Sequence, residues 1–109
     1  MSLKVVFLRS AEQDLKELRG YIIKQFGKEV WQDSYRKIKA SVGVIQTYPL
    51  GGSIPEEFER LNLAQYRQVI SGMNRIIYEV RQETVYIHII CDNRKEMASL
   101  LTRRLLRDV

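Results

Sequence analysis

Two periods of apolar residues alternate along the chain. The run "LKVVFL" (3–8) is short, apolar and rich in β-branched residues, which predicts a strand with a buried face. The period then lengthens. Ala11, Leu15, Leu18, Ile22 and Phe26 recur at three- and four-residue steps, the stripe of an amphipathic helix. Ser10 offers an N-cap oxygen with Gln13 at the spacing of a capping box, and Gly27 ends the helix, glycine being the residue that most readily adopts a left-handed terminus. A second stripe, Trp31, Tyr35, Ile38, Val42 and Ile45, predicts a second helix stopped by Pro49 and the Gly51–Gly52 pair. With a single glycine-centred turn between them, the two helices read as an antiparallel hairpin. At this spacing Trp31 and Tyr35 read as core residues, not as an aromatic ligand platform.

The segment 49–65, "PLGGSIPEEFERLNLAQ", shows no period and carries both prolines together with Glu56, Glu57 and Glu59. Its glutamates, beside Phe58, read as a solvated turn of helix, although loops on a rigid scaffold are where function concentrates. The period returns to two in "YRQVI" (66–70), "RIIYEV" (75–80) and "VYIHIIC" (85–91), separated by "SGMN" and "RQET". Tight turns make these antiparallel neighbours. Asn93 and Glu96 then have capping-box spacing, and Met97, Leu100, Leu101 and Leu105 predict a last helix. The expected order is β-α-α-β-β-β-α, an α+β fold with an antiparallel sheet packed on a helical hairpin and a C-terminal helix.

Composition narrows the class. The 109 residues suit one domain spanning 1–109, and 45% hydrophobic with 28% charged residues is ordinary for a globule. No apolar run approaches the roughly 20 residues of a membrane span, and the N-terminus lacks the pattern of a signal peptide. One cysteine makes no internal disulfide and, with one histidine, no metal-ligand set, so a reducing, cytoplasmic setting without metal or cofactor is expected. The net charge of +5 points to an acidic partner, either nucleic acid or an acidic protein segment.

Candidate chemistry gathers in "VYIHIICDNRKE" (85–96), which holds that histidine and cysteine. Regular alternation puts Val85, Ile87, Ile89 and Cys91 on one face, toward the helical hairpin, and Tyr86, His88, Ile90 and Asp92 on the other. Cys91 then reads as a small buried hydrophobe. His88 lies on the mixed face, where Arg67 or Arg75 is expected nearby; a neutral imidazole can act there as a base. A hydrogen-bonded structural histidine is the plainer reading. "LGGS" follows a helix and lacks a lysine, so it is no phosphate loop.

Three stretches together carry a resemblance that covers nearly the whole chain: "VVFLRSAEQDLKELRGYI", "YRQVISGMNRIIYEV" and "VYIHIICDNRKEMASLLTRRLL". The chain resembles the RelE/ParE superfamily, the toxins of type II toxin–antitoxin modules. One branch of that superfamily cuts messenger RNA on the ribosome and the other poisons DNA gyrase. For the cutting branch, the resemblance implies acid–base assisted attack of a ribose 2′-hydroxyl on the adjacent phosphate. Arg75 and Arg94 would then be the cations, and Glu57 or Glu59 a loop carboxylate. His88 falls inside the strand and does not match that branch's terminal histidine, whose place "CDNRKE" occupies. With the full helix that follows, this departure leans the resemblance toward the ParE branch. There Arg103, Arg104 and Arg107 are the candidates for contact with an acidic target. In that branch toxicity resembles binding more than catalysis. Membership also implies a cognate antitoxin that wraps the toxin with a segment folding on binding.

Overall fold

The computed structural model describes residues 3–93, 97, 99, 100, 103 and 104. Strand β1 (Lys4–Phe7) leads into helix α1 (Arg9–Phe26) and helix α2 (Lys28–Thr47). A short turn of helix, α3 (Glu56–Glu59), precedes strands β2 (Tyr66–Ser71), β3 (Asn74–Arg81) and β4 (Thr84–Asp92). Met97, Ser99, Leu100, Arg103 and Arg104 are helical and are called the last helix below. Glu96, Leu101 and Leu105, assigned above to that helix or its cap, lie outside the described residues.

The element order matches the pattern in the sequence, but the sheet is mixed instead of antiparallel. Its strand order is β1-β4-β3-β2, and β1 pairs in parallel with β4 in the register Lys4↔Thr84 to Phe7↔Ile87. Local turns determine the three-strand meander. The partner of β1 lies about eighty residues away, beyond the reach of any turn signal. Two-residue turns, Gly72–Met73 and Gln82–Glu83, close the meander.

The start of α1 also differs from expectation. Leu8 still donates its N–H to the Ile87 carbonyl, continuing the strand, so the helix begins directly at Arg9. Ser10 is therefore inside the first turn and buried, and Leu8, at the N-cap position, makes no side-chain cap bond. Gly27 does separate the helices, with φ +100°, where a side chain would strain the backbone. Both stripes pack as expected along most of their length. Ala11, Ile38, Val42 and Ile45 meet Ile76, Tyr78, Val85, Ile87 and Ile90 from the sheet. Phe26 and Tyr35, at or near the free end of the hairpin, remain exposed.

The other face of the sheet is covered too. Phe58 from α3 and Met97 from the last helix pack with Ile77, Ile89 and Cys91, flanked by Leu63, Tyr66 and Leu100. This explains the long irregular segment, which carries the chain around the β2 edge. On the hairpin side the Tyr78 hydroxyl donates to the Pro49 carbonyl (2.8 Å) and accepts from the Gly52 N–H (3.2 Å). At the edge Ser53 pairs with Gln68, and on the far side Phe58 is buried. Arg67 fastens the crossing from Nη1 to the Leu50 and Gly52 carbonyls, at 3.2 and 2.8 Å. Burial raises the Tyr78 hydroxyl above its ordinary pKa.

Candidate functional site

Strand β4 does not alternate regularly. Tyr78 pairs with Ile87 and Ile77 with Ile89, so His88 is an extra residue, a β-bulge. The bulge shifts the phase of everything after it. Val85 and Ile87 face the hairpin, as expected, but beyond His88 it is Ile90 that joins the hairpin core. Ile89 and Cys91 turn to the opposite face, against Phe58 and Met97. The expectation that Ile89 and Cys91 share the hairpin face with Val85 and Ile87 is thus overturned. The burial of Cys91 stands, at 8% exposure.

The bulge leaves two backbone groups turned away from β3, beyond the point where β1 has ended. Their partners are side chains. Asp14 of α1 accepts the Ile90 N–H on Oδ2 (3.0 Å), and Arg104 donates from Nη1 to the His88 carbonyl (2.9 Å). Asp14 and Arg104 also pair with each other, their side chains only 11% and 8% exposed. Asp14 was not singled out in the sequence, yet a signal existed. Positions 11, 14, 15 and 18 form one helical face, and an aspartate within that apolar stripe needs a buried partner.

The side chain of His88 lies on the face away from the hairpin. Its Nε2 is 2.9 Å from Glu79 Oε1, and its ring meets Tyr66 edge-on at 5.0 Å between centroids. Arg81 donates to the same Glu79 oxygen (3.1 Å) and lies over the Tyr86 ring at 4.6 Å. Neither arginine expected beside His88 is placed there as a free cation. Arg67 lies toward the hairpin, holding the loop crossing. Arg75, 7% exposed, is engaged at the other end of β3. There its Nε donates to Gln68 Oε1 (2.9 Å), while Nη1 and Nη2 donate to the two oxygens of Glu57 (3.2 Å each). That hydrogen bonding holds the Glu57 carboxyl below its ordinary pKa of 4.5, against the opposing effect of burial.

The structure therefore sorts the candidates into separate places. Arg75 and Glu57 belong together, as a forked pair that fastens α3 to the sheet. His88 belongs with Glu79, Tyr66 and, through Glu79, Arg81. Of the three arginines proposed to meet a target, Arg104 is buried against Asp14 and presents no guanidinium to a partner in this arrangement. Arg103 is exposed. It lies on a groove of about 770 Å³ between α1, the end of β4 and the last helix, with Leu18, Ile90 and Leu100 among its lining and Glu17 and Asp92 beside them. Arg94 and Arg107 lie outside the described residues. Glu79 was not foreseen, because pairing it with His88 requires the register between β3 and β4. Among the described residues no cluster of three or more histidine, cysteine or carboxylate side chains is placed to hold a metal ion, and no helix is long and apolar enough to cross a membrane.

Comparison with known proteins gives this geometry a family. No curated protein matches the chain. Among solved structures, a chain of the chromosomal ParDE toxin–antitoxin system from P. aeruginosa superposes with a TM-score of 0.68 at 16% identity. That match covers 84% of this chain and 96% of the other. A chain of the RelBE2 toxin–antitoxin complex from Mycobacterium tuberculosis follows at 0.59 and 20%, covering 84% and 99%. At these identities the two share the fold. The family model for the ParE toxin of the parDE type II toxin–antitoxin system matches residues 5–96, from β1 through β4, and the chain belongs to that family.

Proposed function

We propose that this protein is the toxin of a type II module that arrests growth by trapping DNA gyrase, and that a cognate antitoxin holds it in check. The observation that carries the gyrase reading is the condition of Arg75. Attack on a phosphodiester needs a cation free to meet the developing charge. Here all three guanidinium nitrogens of Arg75 already donate to Gln68 and Glu57. His88 lies in a separate group, beside Glu79. A binding mode of action asks only for a shaped surface, and exposed Arg103 beside the groove of the last helix is our candidate contact. The ParDE and RelBE2 neighbours, both from toxin–antitoxin complexes, support an antitoxin partner. A net charge of +5 favours fast encounter with an acidic one.

The second reading, a ribosome-dependent endoribonuclease acting on mRNA, is favoured by the His88–Glu79 pair. An imidazole held by a carboxylate is a common arrangement for a general base. One experiment separates the two. The chain is expressed under control in a sensitive bacterium, and DNA-damage signalling and primer-extension mapping of transcripts are followed in the same culture. Filamentation and a damage response with intact transcripts are expected, and Arg103→Glu weakens them without lowering the melting temperature. Codon-phased cuts in translated messages, without early DNA damage, would replace the gyrase reading with the nuclease one.

A further inference from the structure

The Asp14–Arg104 pair does more than join α1 to the last helix. Its two members hold two backbone groups at the bulge: Asp14 takes the Ile90 N–H, and Arg104 donates to the carbonyl of His88 itself. Strand β1 ends at Phe7, and its pairing with β4 continues through the Leu8 N–H, which donates to the Ile87 carbonyl. These side chains therefore stand in for the missing strand. A buried N–H or carbonyl left without a partner is costly, so the bulge and the pair depend on each other. The bulge in turn sets where the His88 ring sits relative to Glu79 and Tyr66.

From this chain of contacts we infer that Asp14 and Arg104 form a relay. The seating of the last helix, on one side of β4, determines the position of the imidazole on the sheet face away from the hairpin. Arg104 reaches the bulge through a single guanidinium. A displaced helix withdraws one bond from the His88 carbonyl and one from Asp14 together, and Asp14 is then free to release Ile90. Helix and imidazole move as one unit, because interiors with discrete packings respond by switching and not by gradual deformation. The relay is a property of the isolated chain and stands whether gyrase or mRNA is the target. On the proposed reading, a partner engaging Arg103 would act through it on the His88 face.

The chain contains one histidine, so a 13C-labelled sample gives a single imidazole Cε1–H cross-peak that reports on His88 directly. Arg104→Lys keeps the charge and the stem but not the planar fork, and Asp14→Asn keeps an acceptor for Ile90 without the charge. Each single variant is expected to move the His88 cross-peak and to speed exchange of the Ile90 amide by about tenfold or more. The double variant should do no more than either alone, the signature of one linkage. Arg103→Ala, on the exposed side of the same helix, should leave both signals in place. The relay is refuted if, with the Met97 methyl signal showing a displaced helix, the His88 cross-peak stays where it was. Simple addition of the two single effects would refute it equally.

Discussion

Replacing Gly52 with alanine tests whether the chain crosses the sheet edge as described. A Cβ at this position would lie 2.5 Å from the Tyr78 hydroxyl, 2.6 Å from the Gln68 carbonyl oxygen and 3.1 Å from the Tyr78 ring. The hydroxyl can swing away only by giving up its bonds to Pro49 and Gly52. The carbonyl cannot move without breaking the Ser53–Gln68 bridge, whose hydrogen bonds are 3.2 and 2.7 Å long. Inserting a methyl into such a site costs about 1–3 kcal/mol. Loss of one buried hydrogen bond adds about 1 kcal/mol. The expected destabilisation is about 2–4 kcal/mol, or roughly 8–16 °C in melting temperature at about 4 °C per kcal/mol for a domain of this size. Urea unfolding followed by circular dichroism measures it, with Gly20→Ala as the control. Nothing lies within 4 Å of a Cβ at Gly20, in the middle of α1, so that change should stabilise by about 0.5–1 kcal/mol. A loss below about 0.5 kcal/mol for Gly52→Ala would mean that the loop does not pass between Tyr78 and Gln68 as described.

The Arg75–Glu57 pair makes stability depend on acidity. Glu57 has a folded pKa below 4.5, so its contribution is complete above 4.5 and fades as the pH falls through the folded value. Glu57→Gln should therefore lower the urea midpoint at pH 7, by a deficit that shrinks as the pH falls below 4.5; a deficit that stays the same across that range would contradict the pairing. Ile77→Ala, at a fully buried position on the face away from the hairpin, should cost about 2–5 kcal/mol in the same assay. Exposed Leu61→Ala should change little, and near-equal effects would deny that α3 and the last helix cover a second core. Cys91, nearly buried, should react with a thiol reagent at least about tenfold slower in the native protein than in urea. Full native reactivity would show that the last helix is not seated over β4.

How much of this was legible depended on the range of each interaction. Helices α1 and α2 could be read because their stripes repeat locally, and Gly27 marked the boundary with its own backbone requirement. The hairpin turns of the meander were equally local. The parallel pairing of β1 was not, since Lys4 finds Thr84 across the whole chain. The phase of β4 is hidden for a different reason. Unbroken alternation is the simplest pattern for seven residues, and a bulge at His88 leaves no signature when nearly every neighbour is apolar. Arg75 illustrates the limit for function. Its position in the strand was clear, but its engagement by Glu57 depends on where a loop without periodicity comes to rest. Arg104 was one of several neighbouring arginines in the sequence, and only the fold separates it from exposed Arg103.

The bulge also gives β4 a spare place in its count of residues. His88 has no partner of its own in the ladder, so removing it would let Ile87 and Ile89 follow each other in regular pairing opposite Tyr78 and Ile77. Ile90 would keep its place in the hairpin core, and Ile89 and Cys91 theirs on the opposite face. Drawing His88 into the ladder at full length is another matter. Every residue after it would then turn over, Ile90 leaving the hairpin core while Ile89 and Cys91 entered it. At this place the fold tolerates the loss of a residue better than the loss of the bulge at full length.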